Sequence, residues 1–189
     1  MTLFETGRWP AIHDSKSLRA GIDEILNSAD FDARFYDLQS HADPAVCQGD
    51  VVELVAPAPL LDEDGQPIAT DVVFAHWLVI GNTCDFDRGA EAVPTTQIVP
   101  LVKIAPELSP AEVKELRQYK YSRRFYVPAW PGCPDRGHRL ADFVHPVAID
   151  RRAFREDCAR VVARMQFPAW ALFHACIVRF LARDDGRLD

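Results

Sequence analysis

Apolar positions in this chain recur at helical spacing in a few stretches and elsewhere run in short bursts that suit strands. Over residues 14–28, Leu18, Ile22, Ile25 and Leu26 fall on one face behind Ser15 or Ser17, either of which can cap a helix. Residues 29–45 lose the period and end near Pro44, so they read as a connector with room for one helical turn. At Cys47 the pattern changes. Val51, Val52, Leu54 and Val55 follow a Gly49-Asp50 turn and predict a strand over 49–56. After an apolar loop, Asp64-Gly65 supplies turn chemistry, and the β-rich run 70–81, TDVVFAHWLVIG, is expected to pair antiparallel with the first strand. A third strand, TTQIVPLVKI, carries Pro100; a residue that donates no ladder hydrogen bond marks an edge or a bulge.

Ser109, Pro110 and Glu112 form a capping signature for a short helix. The segments 123–131 and 139–150 read as strands around the turn-rich 131–138, and 159–165 as a last short one. A final helix follows from Phe167, with Pro168 in its first turn, Trp170, Phe173, Ile177, Phe180 and Leu181 as its core stripe, and Arg179 and Arg183 near its C-terminal end. The predicted fold is mainly β with helices (α+β): a small antiparallel barrel over 46–189 with a C-terminal helix, preceded by an N-terminal helical appendage over 1–45.

Composition adds bounds to this picture. With 189 residues, 48 % hydrophobic and 26 % charged, the chain is that of an ordinary globular protein with one well-cored domain. No apolar run reaches the ~18–20 residues of a membrane span and no secretory leader is evident, so a cytoplasmic location is expected. The five cysteines are widely spaced with no CxxC pair, which favours free thiols. Cys133, His138 and His145 match no standard zinc spacing, so no metal and no cofactor is expected. The net charge of −7 is uneven: residues 46–94 hold 1 Lys/Arg against 9 Asp/Glu, and residues 95–189 hold 16 against 11. A polyanion partner for one face is therefore compatible with an acidic chain, and the acidic middle could equally imitate nucleic acid.

The strand motifs bring a resemblance. Gly49-Asp50-Val51-Val52-Glu53-Leu54, the run Ala75–Asn82, QIVPLVKI, and Val147–Phe154 (VAIDRRAF) together are similar to the PemK/MazF-like family, and residues 46–182 resemble it in pattern. The resemblance implies an SH3-like barrel, RNA as ligand, endoribonuclease activity, and a toxin–antitoxin or defence setting. It also implies partners: RNA, an antitoxin-like or other protein, and a second copy in a homodimer. The family's catalytic arginine and threonine fall here on Ala75 and roughly Val102, which can do no proton transfer. The alternative is a catalytically inactive barrel that acts as a protein-binding or regulatory subunit.

Candidate chemistry then rests on what this chain carries instead. The core run Trp77–Gly81 delivers Asn82, Thr83, Cys84, Asp85, Asp87 and Arg88 at one end, the rim position where scaffolds hold functional groups. His76, Asn82 and Asp85 are the candidate catalytic residues, Asp85 as base and His76 as acid, although the strand between them must fold back for the two to meet. Thr83 and Arg88 are candidate nucleic-acid contacts. A local reading competes, in which Asn82 and Asp85 only tie up turn backbone. Cys84 as nucleophile is disfavoured by its acidic neighbours. In RQYKYSRRFYV, Arg123, Arg124 and Tyr126 join cations to aromatic faces, as single-stranded RNA binding needs; alternation into a core explains the same pattern.

Overall fold

Short strands, several of them buried on both faces, joined to helices that are apolar on one side, make this an α+β protein. The structure is a computed structural model and describes residues 15–28, 31–37, 46–54, 60–61, 67–68, 76–133, 135–154 and 158–182. In chain order these form α1 (Ser15–Leu26), a 3₁₀ turn (Asp32–Arg34), β1 (Val51–Leu54), β2 (Leu60–Leu61), β3 (Pro67–Ile68), β4 (His76–Val79) and α2 (Thr83–Phe86). There follow β5 (Thr95–Lys103), α3 (Pro110–Arg117), β6 (Arg124–Val127), β7 (Arg139–Asp142), β8 (Val147–Asp150), a second 3₁₀ turn (Arg151–Phe154), β9 (Ala159–Ala163) and α4 (Phe167–Ala182). Outside the described residues lie several expected features: the stretches 1–14 and 38–45, the end of the first strand, the Asp64-Gly65 turn, the start of the 70–81 run with Ala75, and Arg183.

The strands form one antiparallel system in the order β3-β2-β8-β5-β4-β1-β9, from which β7 and then β6 branch at β5. β1 pairs with β4 in the register Val51↔Leu78 and Glu53↔His76, and with β9 through Glu53↔Arg160. Among the described residues no ladder joins β6 to β9 or β3, so strand pairing does not close the sheet on itself.

Pro100 corrects an expectation. β5 is neither an edge strand nor bulged at Pro100: β4 lies along one side through Trp77↔Pro100 and Val79↔Ile98, while the other side serves β8 at Thr95–Ile98 and β7 at Leu101–Lys103. Gln97 O accepts from Ile80 N at 3.0 Å, so by alternation the nitrogen of Pro100 faces away from β4. It sits in the gap where β8 has ended and β7 has not begun, and no ladder bond is lost. The expected strand over 139–150 is likewise two strands. Asp142 Oδ1 accepts from Val144 N at 3.0 Å and turns the chain between β7 and β8.

α4 buries Phe173 of the expected stripe but centres its buried face to one side of it. Ala169, Leu172, Phe173, Ala175 and Cys176 are buried, Trp170, Ile177 and Phe180 are only partly so, and Leu181 is 70 % exposed. Small side chains on the buried face let α4 approach α1, while Trp170, Ile177 and Phe180 lie on its flank, partly buried against the same cluster. Leu18, Ile22 and Ile25 of α1 join the same apolar cluster, together with Phe35, Val51, Leu78, Val99 and Phe125. A smaller cluster on the other face holds Val52, Trp77, Val79, Ile98 and Ile149.

The Gly49-Asp50 turn has two jobs. Gly49 adopts φ +89°, and a Cβ there would stand 3.3 Å from the Trp170 ring, so only glycine fits without strain. The fully buried Asp50 carboxylate accepts from Arg164 Nε at 2.9 Å and Nη2 at 2.8 Å, and from Cys47 N at 2.8 Å. That two-pronged pair ties the start of β1 to the chain leaving β9. Among the described residues no helix is long and apolar enough to cross a membrane.

Candidate functional site

Residues 82–94 form a pinned surface segment beyond the far end of β4. Asn82 precedes the single-turn helix α2, and its exposed side chain makes no capping hydrogen bond. Thr83 Oγ1 accepts from Gln48 N at 3.0 Å, and Gln48 Nε2 donates to Ile80 O at 2.9 Å, so Thr83 serves the local backbone. Asp85 stands 4.0 Å from Arg88, which is 66 % exposed. Cys84 is exposed as well. The segment is clamped from beneath: Arg151 Nη2 donates to Phe86 O and Nη1 to Val93 O, both at 2.9 Å, and its guanidinium lies 5.1 Å from the Phe86 ring centre. Gly81 is required where β4 leaves the sheet, because a Cβ there would fall 2.0 Å from Thr96 Oγ1.

The opposite end of β4 is different. Glu53 and His76 are cross-strand partners, Glu53 is opposite Arg160, and Lys103 is opposite Arg139. Strand alternation puts Glu53 on the face of Val51, His76 on that of Leu78, and Lys103 on that of Val99 and Leu101. The face that carries the main apolar cluster thus runs out into a polar strip of Arg160, Glu53, His76, Lys103 and Arg139. Arg160 is ion-paired with Glu53 and its side chain is 69 % exposed. Lys103 Nζ is 2.7 Å from Asp135 Oδ2 and is 72 % exposed.

The loop from Trp130 to His138 supplies the floor of the strip. Arg139 is buried, donates from Nη2 to Asp135 Oδ1 and Oδ2 at 2.7 and 2.8 Å, and places its guanidinium 5.8 Å from the Trp130 ring centre. Gly137 N donates to Asp135 Oδ1 at 3.0 Å, and the Cys133 thiol donates to the same oxygen at 3.3 Å. Hydrogen bonds from Lys103 and Arg139 hold the Asp135 carboxyl well below the ordinary carboxylate range. His76 meets Trp130 edge-on at 4.9 Å between ring centres. Burial pushes the His76 imidazole below its ordinary value, Glu53 and Asp135 pull it up, and Arg139 and Arg160 push it down further. His76 is therefore a neutral imidazole at pH 7, with a lone pair able to accept a proton.

The basic aromatic segment divides between core and solvent. Tyr119, Phe125 and Tyr126 are buried in the main cluster, while Arg123 and Arg124 are exposed. His138 stacks on the Tyr126 ring at 5.3 Å and Arg117 lies 5.9 Å from its centre, so Tyr126 offers no open face to a base. Arg124 is opposite Asp142, one position off the row of Phe125 and Ala141, and so points to the other side of β6. Arg19 of α1 and Arg179 of α4 both donate to the carbonyl of Tyr119, at 3.4 and 2.9 Å, which fixes the turn into β6.

The sequence-derived candidates thus separate into three places. Asn82, Thr83, Asp85 and Arg88 are together; His76 is about 16 Å away along β4, five steps of about 3.3 Å from Gly81; Arg123, Arg124 and Tyr126 begin β6. Asp85 and His76 do not form an acid–base pair. The residues that do surround His76 are Glu53, Lys103, Trp130, Asp135, Arg139 and Arg160, which sequence reasoning did not single out. Their signal was faint: Glu53 and Lys103 are single charges inside otherwise apolar runs. No protein-family model matches this chain, and neither a curated protein nor a solved structure matches it.

Proposed function

We propose that the chain is a PemK/MazF-like protein of SH3-like barrel type that binds RNA through the polar strip around His76, in a cytoplasmic toxin–antitoxin or defence setting. The observation that carries this reading is the position of the strip. The family's catalytic positions correspond to Ala75 and roughly Val102; continuing the β4–β5 register past Trp77↔Pro100 brings His76 opposite Leu101, beside Val102 and Lys103. The strip therefore lies at the same end of β4 and β5 as those positions, one residue along each strand and so, by alternation, on the opposite side of β5 from Val102, and this nearness is what supports the reading.

In this reading Arg160 and Lys103 hold phosphate, and neutral His76 takes the role that the family's missing arginine and threonine leave open, as proton acceptor in endoribonuclease cleavage. The test is incubation of the purified protein with unstructured and structured RNAs at low salt. Cleavage that His76→Ala abolishes supports an endoribonuclease; binding without cleavage keeps the RNA reading and removes the enzyme. Neither binding nor cleavage removes both.

A second reading, a catalytically inactive protein-binding subunit, is favoured by one observation. Phe167, 63 % exposed, stacks on Trp170 at 6.0 Å, and Trp170 stacks on His174 at 5.3 Å, along an outer face of α4 that ends in exposed Leu181. Under this reading a protein co-purifies stoichiometrically and Trp170→Ala with Phe167→Ala releases it. An RNA ligand with no such protein excludes it.

A further inference from the structure

Two carboxylates and three cations share the strip, and one uncharged base sits among them. Arg160 is held by Glu53, while Lys103 and Arg139 are held by Asp135. The two exposed cations are thus each engaged with a carboxylate, and a phosphate must compete for them. His76 lies between the two ion-paired groups, on the same face, directly across from Glu53. Resting on the RNA reading above, we propose that His76 is a proton-operated switch, whose protonation doubles the net positive charge of the strip and tightens its hold on single-stranded RNA.

The geometry explains how one proton acts twice. An imidazolium across from Glu53 shares its carboxylate, because cross-strand partners stand with Cβ atoms about 4.5–5.5 Å apart. The Arg160 guanidinium, on a side chain 69 % exposed, is then released towards solvent and a phosphate oxygen. The imidazolium also leaves four cations facing two carboxylates where three faced two before. The charged groups around His76 are Glu53 from β1, Arg160 from β9, Lys103 from β5, Arg139 from β7 and Asp135 from the Trp130–His138 loop, with the Trp130 ring against its edge. Burial is the largest influence on the imidazole and keeps it neutral at pH 7, so the switch is off at neutral pH and closes only in acid.

The experiment is a titration of a short, labelled, unstructured single-stranded RNA with the full chain, followed by fluorescence anisotropy. It is run at about pH 7.5 and about pH 5, on either side of the ordinary histidine value near 6.5. One added phosphate contact steepens the dependence of log K on log salt by about 0.7, which at ~0.1 M salt is about a fivefold gain in affinity. The wild type is expected to show that gain in acid. His76→Gln is expected to lose it, His138→Gln to keep it, and His76→Lys to bind at pH 7.5 as the wild type does in acid. Circular dichroism of each variant confirms that it is folded, and the imidazole titration of His76 by NMR follows the proton without RNA. RNA affinity that does not change with pH, or an acid gain that survives in folded His76→Gln, overturns the switch and leaves the RNA reading standing. Absence of RNA binding at both pH values overturns the RNA reading itself and the switch with it.

Discussion

Replacing Arg164 by leucine strands a carboxylate in the most buried part of the first turn. Asp50 is fully buried, and the substitution removes two charge-assisted hydrogen bonds of 2.9 and 2.8 Å, while the Cys47 N–H at 2.8 Å remains. A buried ion pair broken on one side costs about 3–5 kcal/mol. The stranded carboxyl has a cheaper alternative, which is to take up a proton. Relative to an unfolded aspartate near 3.9, that uptake costs about 1.4 kcal/mol per pH unit, so about 4 kcal/mol at pH 7 and about 1.5 kcal/mol at pH 5. The two routes agree at neutral pH, and the second makes the loss depend on pH. Since a domain's whole stability is about 5–15 kcal/mol, the variant is expected to be marginal at pH 7 and distinctly better folded at pH 5. Urea unfolding, read by the midpoint at unchanged slope, measures both. Asp50→Asn combined with Arg164→Leu has no charge to strand and is expected to recover more than half of the loss. A loss below about 1 kcal/mol at pH 7, or one of equal size at both pH values, would refute the reasoning.

Gly81→Ala drives a Cβ to 2.0 Å from Thr96 Oγ1 and is expected to cost about 1–3 kcal/mol by overpacking, part of which Thr96→Ala restores in the double variant. Arg151→Met deprives the Phe86 and Val93 carbonyls of their donor; about 2 kcal/mol is expected, with faster amide exchange confined to residues 83–94. Asp135 titrates well below its ordinary value, so its contribution to stability is complete above about pH 4 and is lost as the pH falls towards its folded value. Asp135→Asn should therefore release the Trp130–His138 loop at every pH, seen as a shifted Trp130 indole N–H resonance.

Local chemistry made much of the fold legible. The Ser109–Glu112 capping box forms as its spacing implies, with Ser109 Oγ accepting from Glu112 N at 3.3 Å, and the α1 face marked by Leu18, Ile22 and Ile25 is the buried one. Pro100 misled because a missing N–H constrains only one side of a strand, and which side that is depends on where two other strands stop. The α4 stripe held at Phe173, with Trp170, Ile177 and Phe180 partly buried against the core, and failed at Leu181; bulk marks hydrophobicity, whereas the close α1–α4 packing selects small side chains such as Ala169 and Ala175. Of the candidate residues, His76 was visible as a polar group at the head of a core run. The charges around it come from β1, β5, β7, β9 and a loop, and only the registers Glu53↔His76, Glu53↔Arg160 and Lys103↔Arg139 bring them to one place. Such registers are set by tertiary pairing and leave no periodic trace in the chain.

The central claim, that RNA docks on the His76 end of the sheet, is tested most directly by ¹H–¹⁵N spectra of the labelled protein titrated with single-stranded RNA. The account predicts that the Trp130 indole and the amides of Glu53, His76, Lys103 and Arg160 move together and saturate at one concentration. Saturating shifts confined to residues 82–88 or to the outer face of α4, with the His76 end unmoved, would contradict it.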